Sequence, residues 1–297
     1  MSIHVAIKNS LRKIPILDSY LKKREFNKKY AVELALLENR PLRAGKAPSV
    51  LHFSINKAAT QHVKKVLHSI ALENELIPVH YHEFVFLTGR PYLDHLSKKE
   101  FQDYQHIFRP RGFLYSVFGG MIPHIENLQN YRLLFTVRDP RDVLVSGYYS
   151  AAFSHRIPPE ESGKREAFLE QRKKAQDTPI DEFVLEQCDK VKSVYMRYHK
   201  QLLEPWDHTV MLKYEEMVDD YERWLDRLAE ELELDISKDL KQRLIEQNEE
   251  KAAKKENKYR HRRKGQPGDY REKLQPETIS QLNEQLKPVL NVFGYLD

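Results

Sequence analysis

The chain has 297 residues, 40% of them apolar and 31% charged, which provides for a sizeable core beneath a charged surface and excludes a wholly disordered polymer. Its single cysteine, Cys188, excludes an intrachain disulfide framework and a cysteine-built zinc site, and no run approaches the ~18 apolar residues that cross a bilayer. The net charge of +5 suits an anionic ligand without naming one.

In chain order, residues 1–45 read as a charged helical segment packed on the core. The segment is basic, but its apolar run is too short and interrupted for a secretory signal. Residues 46–297 are expected to form one domain. Pro48–Ser54 is a short apolar run that reads as a buried strand. After the polar loop Asn56–Thr60, the residues Val63, Val66, Leu67, Ile70 and Ala71 recur at helical spacing. Strand, tight loop and helix make the opening of a βα unit.

A second strand fits Leu76–Tyr81, and 83–112 reads as irregular and rich in aromatics. Tyr131–Val137 is the clearest strand, running into Arg138–Asp142 and a helix through Val143 and Val145. Segment 155–178 reads as a charged surface excursion. A helix is predicted over 180–203, where Cys188 reads as a small buried residue. Thr209–Tyr214 is predicted as a strand, and helices follow at 221–234, 237–256 and 276–291, with a basic glycine-containing loop at 260–270. Alternating strands and helices predict an α/β fold with a central parallel sheet flanked by helices.

Three features suit anions. In the loop after the first strand, Ala58 and Ala59 let the backbone approach a ligand, N–H groups of Ala58–Gln61, Thr60 among them, open a helix, and Lys57 adds charge. The nucleotide-type pattern G-x-x-x-x-G-K-[ST] is not met, and by itself this loop reads equally as an ordinary helix start with a solvent lysine. Arg138 stands at the carboxyl end of a predicted strand, where open α/β sheets place ligands, and Ser146 follows two helical turns on. Alone, Arg138–Asp142 reads equally as a local ion-pair cluster. Between Lys251 and Lys264 there are eight Lys or Arg and one acid, and Gly265 and Gly268 shape the loop that follows.

Together these features resemble the family of sulfotransferases that use 3′-phosphoadenosine 5′-phosphosulfate (PAPS). Lys57 and its loop match the family's 5′-phosphosulfate loop. Arg138 and Ser146 match its 3′-phosphate motif in type and spacing. Arg263-Lys264-Gly265-x-x-Gly268-Asp269 matches its C-terminal R-K-G-x-x-G-D element, and Leu212–Met217 looks like the segment that brings a tyrosine, here Tyr214, to the adenine. The matches keep the family's order over 54–270. Two departures stand out. Gln61 and His62 replace the family's common threonine and tryptophan. Leu114–Val117, which corresponds to the strand preceding the catalytic histidine, carries no histidine.

The resemblance implies a P-loop-like three-layer sandwich and in-line transfer to a hydroxyl or amine of a small-molecule or carbohydrate acceptor, releasing the desulfated product PAP, without a metal. It implies Lys57 and the backbone of Ala58–Gln61 on the 5′ side, and Arg138, Ser146, Arg263, Lys264 and Gly265 on the 3′-phosphate. His80, His82 and Glu83 are the candidate bases, His80 standing where some carbohydrate-modifying members carry glutamate. Segments 83–112 and 155–178 are expected to form acceptor pocket and lid. A cytoplasmic location fits the single cysteine, and neither a nucleic-acid partner nor a membrane span is expected. An ATP-dependent P-loop kinase and a non-enzymatic polyanion binder remain as alternatives.

Overall fold

The computed structural model describes residues 15–118, 120–158, 160, 163, 165–252 and 266–296, with the backbone alone over 15–21 and 251–252. Five strands, β1 (Val50–Ser54), β2 (Ile77–Val79), β3 (Phe113–Phe118), β4 (Arg132–Val137) and β5 (Val210–Lys213), form one sheet in the order β2-β3-β1-β4-β5. Every pairing is parallel. A parallel sheet is covered on both faces, so its central strands are apolar nearly throughout. All residues of β1 and β3 are buried, as are all but Arg132 of β4.

The α-helices of seven or more residues among those described are α1 (Pro15–Lys29), α2 (Ala31–Leu37), α3 (Thr60–Glu73), α4 (Tyr81–Thr88), α5 (Pro140–Tyr149), α6 (Arg165–Asp177), α7 (Ile180–Tyr198), α8 (Tyr221–Glu231), α9 (Lys238–Ala252) and α10 (Pro276–Phe293). They divide between two cores. On one face Val50, Leu114 and Leu134 of the sheet meet Val63, Val66 and Ile70 of α3 and Trp224 and Leu228 of α8. On the other, Leu51, Phe53 and Phe135 meet Cys188, Tyr195 and Tyr198 of α7 and Leu282 and Leu286 of α10. This is a three-layer α/β arrangement, as expected. Tyr30 and Leu36 bring the N-terminal helical segment onto the second core, and Cys188 is buried, its thiol pushed up to about 11 by burial.

The structure departs from the sequence reading in several places. The second strand is only Ile77–Val79, because His80 caps α4 and Tyr81 already belongs to that helix. Segment 83–112, read as irregular, is largely helical: α4 gives way to single turns at Leu93–His95 and Lys98–Phe101 and a stretch at Gln102–Ile107. The turn at Lys98 has a reciprocal cap, in which Ser97 Oγ accepts the Glu100 N–H while the Glu100 carboxylate accepts the Ser97 N–H. Within 155–178 the chain forms α6, which packs back on the end of α5: Gln176 donates to the Ala152 carbonyl at 2.7 Å and Ala175 is buried.

Candidate active site

The loop between β1 and α3 leaves the centre of the sheet. The Ile55 N–H donates to the Thr136 carbonyl (2.9 Å), which carries the β1–β4 ladder one residue past the strand. The Ala58 N–H then turns back to the Ile55 carbonyl at 3.2 Å. Lys57 and Ala59 both lie at positive φ, 75° and 53°, a left-handed conformation that non-glycine residues adopt rarely. Ala59 caps α3 without a side-chain hydrogen bond, so the first N–H groups of this 14-residue helix face out of the loop. Thr60 does not point into the loop mouth. Its hydroxyl meets Ser54 Oγ at 2.9 Å and the Ile55 carbonyl at 3.3 Å, pinning the helix start to the strand. Gln61 is exposed.

Beneath the loop runs a buried polar chain. His52, in the middle of β1 with no exposure, contacts Ser116 Oγ (3.0 Å) through Nδ1 and Thr136 Oγ1 (3.1 Å) through Nε2. Thr136 Oγ1 donates to Ser54 Oγ at 2.8 Å, and Ser54 meets Thr60. Burial, with the nearby His68 charge second, holds the His52 imidazole down at about 3. The chain is thus uncharged at neutral pH, and a satisfied buried network of this kind specifies one geometry. Here it fixes the anion loop to three adjacent strands.

Lys57 lies half-buried beside Arg138. Burial first, and the Arg138 charge second, lower its ammonium to about 8. Arg138 follows β4 and is 8% exposed. Its Nη1 donates to the Lys57 carbonyl (3.2 Å), while Nη2 meets Asp142 Oδ2 (3.3 Å) and the Gln266 carbonyl (3.5 Å). The guanidinium lies over the Tyr214 ring at 4.3 Å. Its buried Nε has no hydrogen-bond partner among the described residues. The sequence reading therefore holds in one respect and gains in another: Arg138 does pair locally with Asp142, yet it retains donor capacity and reaches the first loop.

Asp142, read in sequence only as part of a local ion-pair cluster, joins the features. It is wholly buried, and its carboxylate accepts the Gly268 N–H (2.8 Å) and the Tyr270 N–H (3.0 Å), so the C-terminal element is tied to the start of α5. Gly268 sits at φ 77°, which the turn requires. Asp139 and Arg141 form a separate bidentate pair, at 3.0 and 2.7 Å, that anchors α5 and, through Arg141, Asn283 of α10. Ser146 lies half-buried on α5. Arg263, Lys264 and Gly265 lie outside the described residues.

Beside the loop, His62 Nε2 meets the Tyr221 hydroxyl at 3.1 Å, and Tyr221 stacks on Trp224 with centroids 5.7 Å apart. Tyr221 and Trp224 carried no signal in the sequence motifs, since they come from α8, far along the chain.

The three candidate bases diverge. The His80 ring packs edge-on against His68 of α3 at 4.6 Å, and its Nδ1 has no partner among the described residues. Burial lowers its pKa, with Lys64 adding to the effect. Glu83 turns to Lys29 (2.8 Å) and Lys64 (3.8 Å), and the hydrogen bond from Lys29 lowers its pKa. His82 instead faces Tyr92, ring centroids 5.0 Å apart, at the edge of a small recess lined by Tyr81, Asp94, Phe118 and Ile122. Among the described residues no group of three His, Cys, Asp or Glu could hold a metal ion, and no helix is long and apolar enough to cross a membrane.

An arginine, a lysine and an uncapped helix start converge at the carboxyl ends of β1 and β4 of an α/β protein, an arrangement suited to a phosphorylated anion. The family model described as "Sulfotransferase domain" matches residues 54–294. The chain therefore belongs to the PAPS-dependent sulfotransferase family, and it transfers a sulfuryl group from PAPS to an acceptor. Solved structures similar to it include mouse sulfotransferase SULT7A1 complexed with PAP, at 15% identity over 87% of this chain and 88% of that one, with a TM-score of 0.49. Retinol dehydratase, solved with androsterone and PAP, matches at 18% identity over 88% and 85%, TM-score 0.46. No curated protein matches the chain.

Proposed function

We propose that the chain transfers the sulfuryl group in line to a hydroxyl or amine of a small-molecule or carbohydrate acceptor. Lys57 and the helix start at Ala58–Gln61 take the 5′ side of the donor. Arg138, Ser146, Arg263, Lys264 and Gly265 take its 3′-phosphate. The observation that carries this reading is Arg138, a guanidinium only 8% exposed whose Nε lacks a partner among the described residues. Leaving a buried donor unsatisfied costs ~1–3 kcal/mol, and a phosphate oxygen at that point would satisfy it. Gln266, the described residue that follows the Arg263–Gly265 stretch, places its carbonyl 3.5 Å from Arg138. That proximity supports a shared 3′-phosphate site.

As the sulfur–oxygen bond to the 5′-phosphate breaks, its electron pair stays on the bridging oxygen, where Lys57 neutralises the growing charge. Tyr214 and the His62–Tyr221 pair border the adenine in this reading, which their aromatic rings beside the loop support. Residues 83–112 give Tyr92 and Asp94 to the aromatic-lined recess at His82, which holds about 10 Å³, room for a single water, and so has to open to take an acceptor, and 155–178 is its lid. Of His80, His82 and Glu83, His82 borders that recess. The single cysteine fits a reducing, cytoplasmic setting.

Calorimetric titration with PAP, without magnesium, against ADP and adenosine 5′-phosphosulfate tests the assignment. Micromolar PAP binding with ADP far weaker is expected. Equal affinities would remove the 3′-phosphate role from Arg138.

A further inference from the structure

The recess at His82 holds a second ionisable group. Asp94 sits on the single turn Leu93–His95, its side chain 18% exposed. Its Oδ2 lies against Gly120, two residues beyond the end of β3: a Cβ on that glycine would come within 2.1 Å of Oδ2 and 2.8 Å of Cγ. A residue with no side chain at 120 is thus what admits the carboxylate to this place.

The place matters because one wall of the recess packs on the strand that leads into the anion loop. Phe118, at the end of β3, lines the recess and packs on Phe53 of β1, centroids 5.2 Å apart. Tyr198 of α7 meets the same Phe53 edge-on at 6.4 Å, and its hydroxyl reaches the carbonyl of Ser54, the last residue before the loop, at 3.5 Å. Burial raises the Tyr198 phenol, and the Asp94 charge raises it further. Asp94 therefore lines a recess whose Phe118 wall packs, through Phe53 and Tyr198, on the strand end from which the Lys57 loop springs. The titratable groups that face it are His82 of α4, Tyr92 and His95 of its own turn, with His95 Nε2 at 3.6 Å, and Tyr198 of α7.

Resting on the assignment of the chain as a PAPS-dependent sulfotransferase, we propose that Asp94 is the base that takes the acceptor's proton. In the step, a lone pair of the acceptor oxygen or nitrogen forms a bond to sulfur. The sulfur–oxygen bond to the 5′-phosphate breaks and leaves its electron pair on the phosphate. The acceptor proton passes to the Asp94 carboxylate and from there to solvent on the open side at His82 and His95. A carboxylate in a recess walled by the end of β3 explains how a chain with no histidine in Leu114–Val117 activates its acceptor.

The test measures PAP release from PAPS by excess enzyme with water as acceptor, alongside PAP affinity by calorimetry. Asp94→Asn should lower turnover at least about a hundredfold and leave PAP affinity within about twofold, since the residue does not touch the 3′-phosphate. Gly120→Ala, which displaces the carboxylate by sterics alone, should lower turnover in the same direction with PAP affinity retained. Both variants turning over at the wild-type rate would overturn the proposal. Loss of turnover in His82→Gln, with its retention in Asp94→Asn, would assign the proton to His82 and overturn it equally. A wild-type protein that binds PAP no better than ADP would instead be a failure of the donor reading.

Discussion

Asp142 Oδ2 accepts the backbone N–H of Gly268 at 2.8 Å across 126 positions of sequence. The same carboxylate holds the Tyr270 N–H and faces the Arg138 guanidinium at 3.3 Å, with no exposure to solvent. One buried side chain thereby sets the orientation of the arginine and the position of the C-terminal element that converges on it.

Asp142→Ala should weaken PAP binding at least tenfold although Asp142 is too enclosed to touch the ligand. It removes the acceptor for two buried N–H groups and leaves Arg138 without its fixed counter-charge, and breaking a buried pair of this kind costs about 3–5 kcal/mol. A fall in the thermal midpoint should accompany the loss of affinity, measured by calorimetry and by a melting curve. Unchanged PAP affinity would show that the tether has no bearing on the site.

Arg138→Ala should weaken PAP by tenfold or more and leave adenosine 5′-phosphosulfate, which lacks the 3′-phosphate, nearly unaffected. Truncating one member of a buried charged contact costs about 2–5 kcal/mol, and the loss should appear only where the ligand offers that phosphate. Competition binding of the two nucleotides to the variant reads this out. An equal loss for both would mean that Arg138 supports the fold of the loop through the Lys57 carbonyl and Tyr214, without selecting the phosphate.

The parts legible in sequence were those written in one continuous stretch. β1, its loop and α3 follow from an apolar run, short side chains and helical spacing, and β4 with Arg138 follows the same way. β3 entered the reading only through its likeness to a known strand, since Phe113–Phe118 follows a long aromatic stretch with no periodicity to separate them. What escaped was anything made by side chains far apart in sequence. Asp142 looked like a partner for Arg138 four residues away, and its bonds to residues 268 and 270 are visible only once the chain is folded. Asp94 carried no motif because its position depends on a missing side chain at Gly120. Tyr221 likewise joins His62 across 159 positions.

Acid should destabilise the protein through its buried histidines. Burial holds His52 at about 3 and His68 at about 4, the neighbouring charges of His68 and His80 respectively adding to the effect. An unfolded histidine titrates near ~6.5. Above that value neither state takes the proton, and stability is unaffected. As pH falls from about 6.5 the unfolded chain binds protons that the folded chain excludes, so each group removes up to about 1.4 kcal/mol per pH unit, with half-buried His68 giving less than His52. Urea midpoints at pH 7.5, 6.5, 5.8 and 5.0 should be flat and then fall. Replacing both histidines by glutamine should flatten the fall between 6.5 and 5.0, and an equal slope in that variant would place the acid sensitivity elsewhere.

Lys57 should show its depressed pKa when the donor site fills. Burial and the Arg138 charge hold the ammonium at about 8 in the free protein, so at pH 8 about half of it is neutral. A phosphate dianion arriving beside it favours the charged form and raises the pKa again. PAP binding at pH 8 should therefore take up roughly half a proton. Calorimetry in buffers of different ionisation enthalpy would detect the uptake, and it should vanish at pH 6.5, where Lys57 is already charged. PAP affinity should weaken as pH rises past 8, and Lys57→Arg, which stays charged, should remove that dependence. In turnover, Lys57→Ala should cost ~10²–10³ in kcat with a smaller change in PAP affinity, because the charge it neutralises grows only as the sulfur–oxygen bond breaks. Equal losses in turnover and in PAP affinity would mean that the lysine binds the nucleotide and does no more.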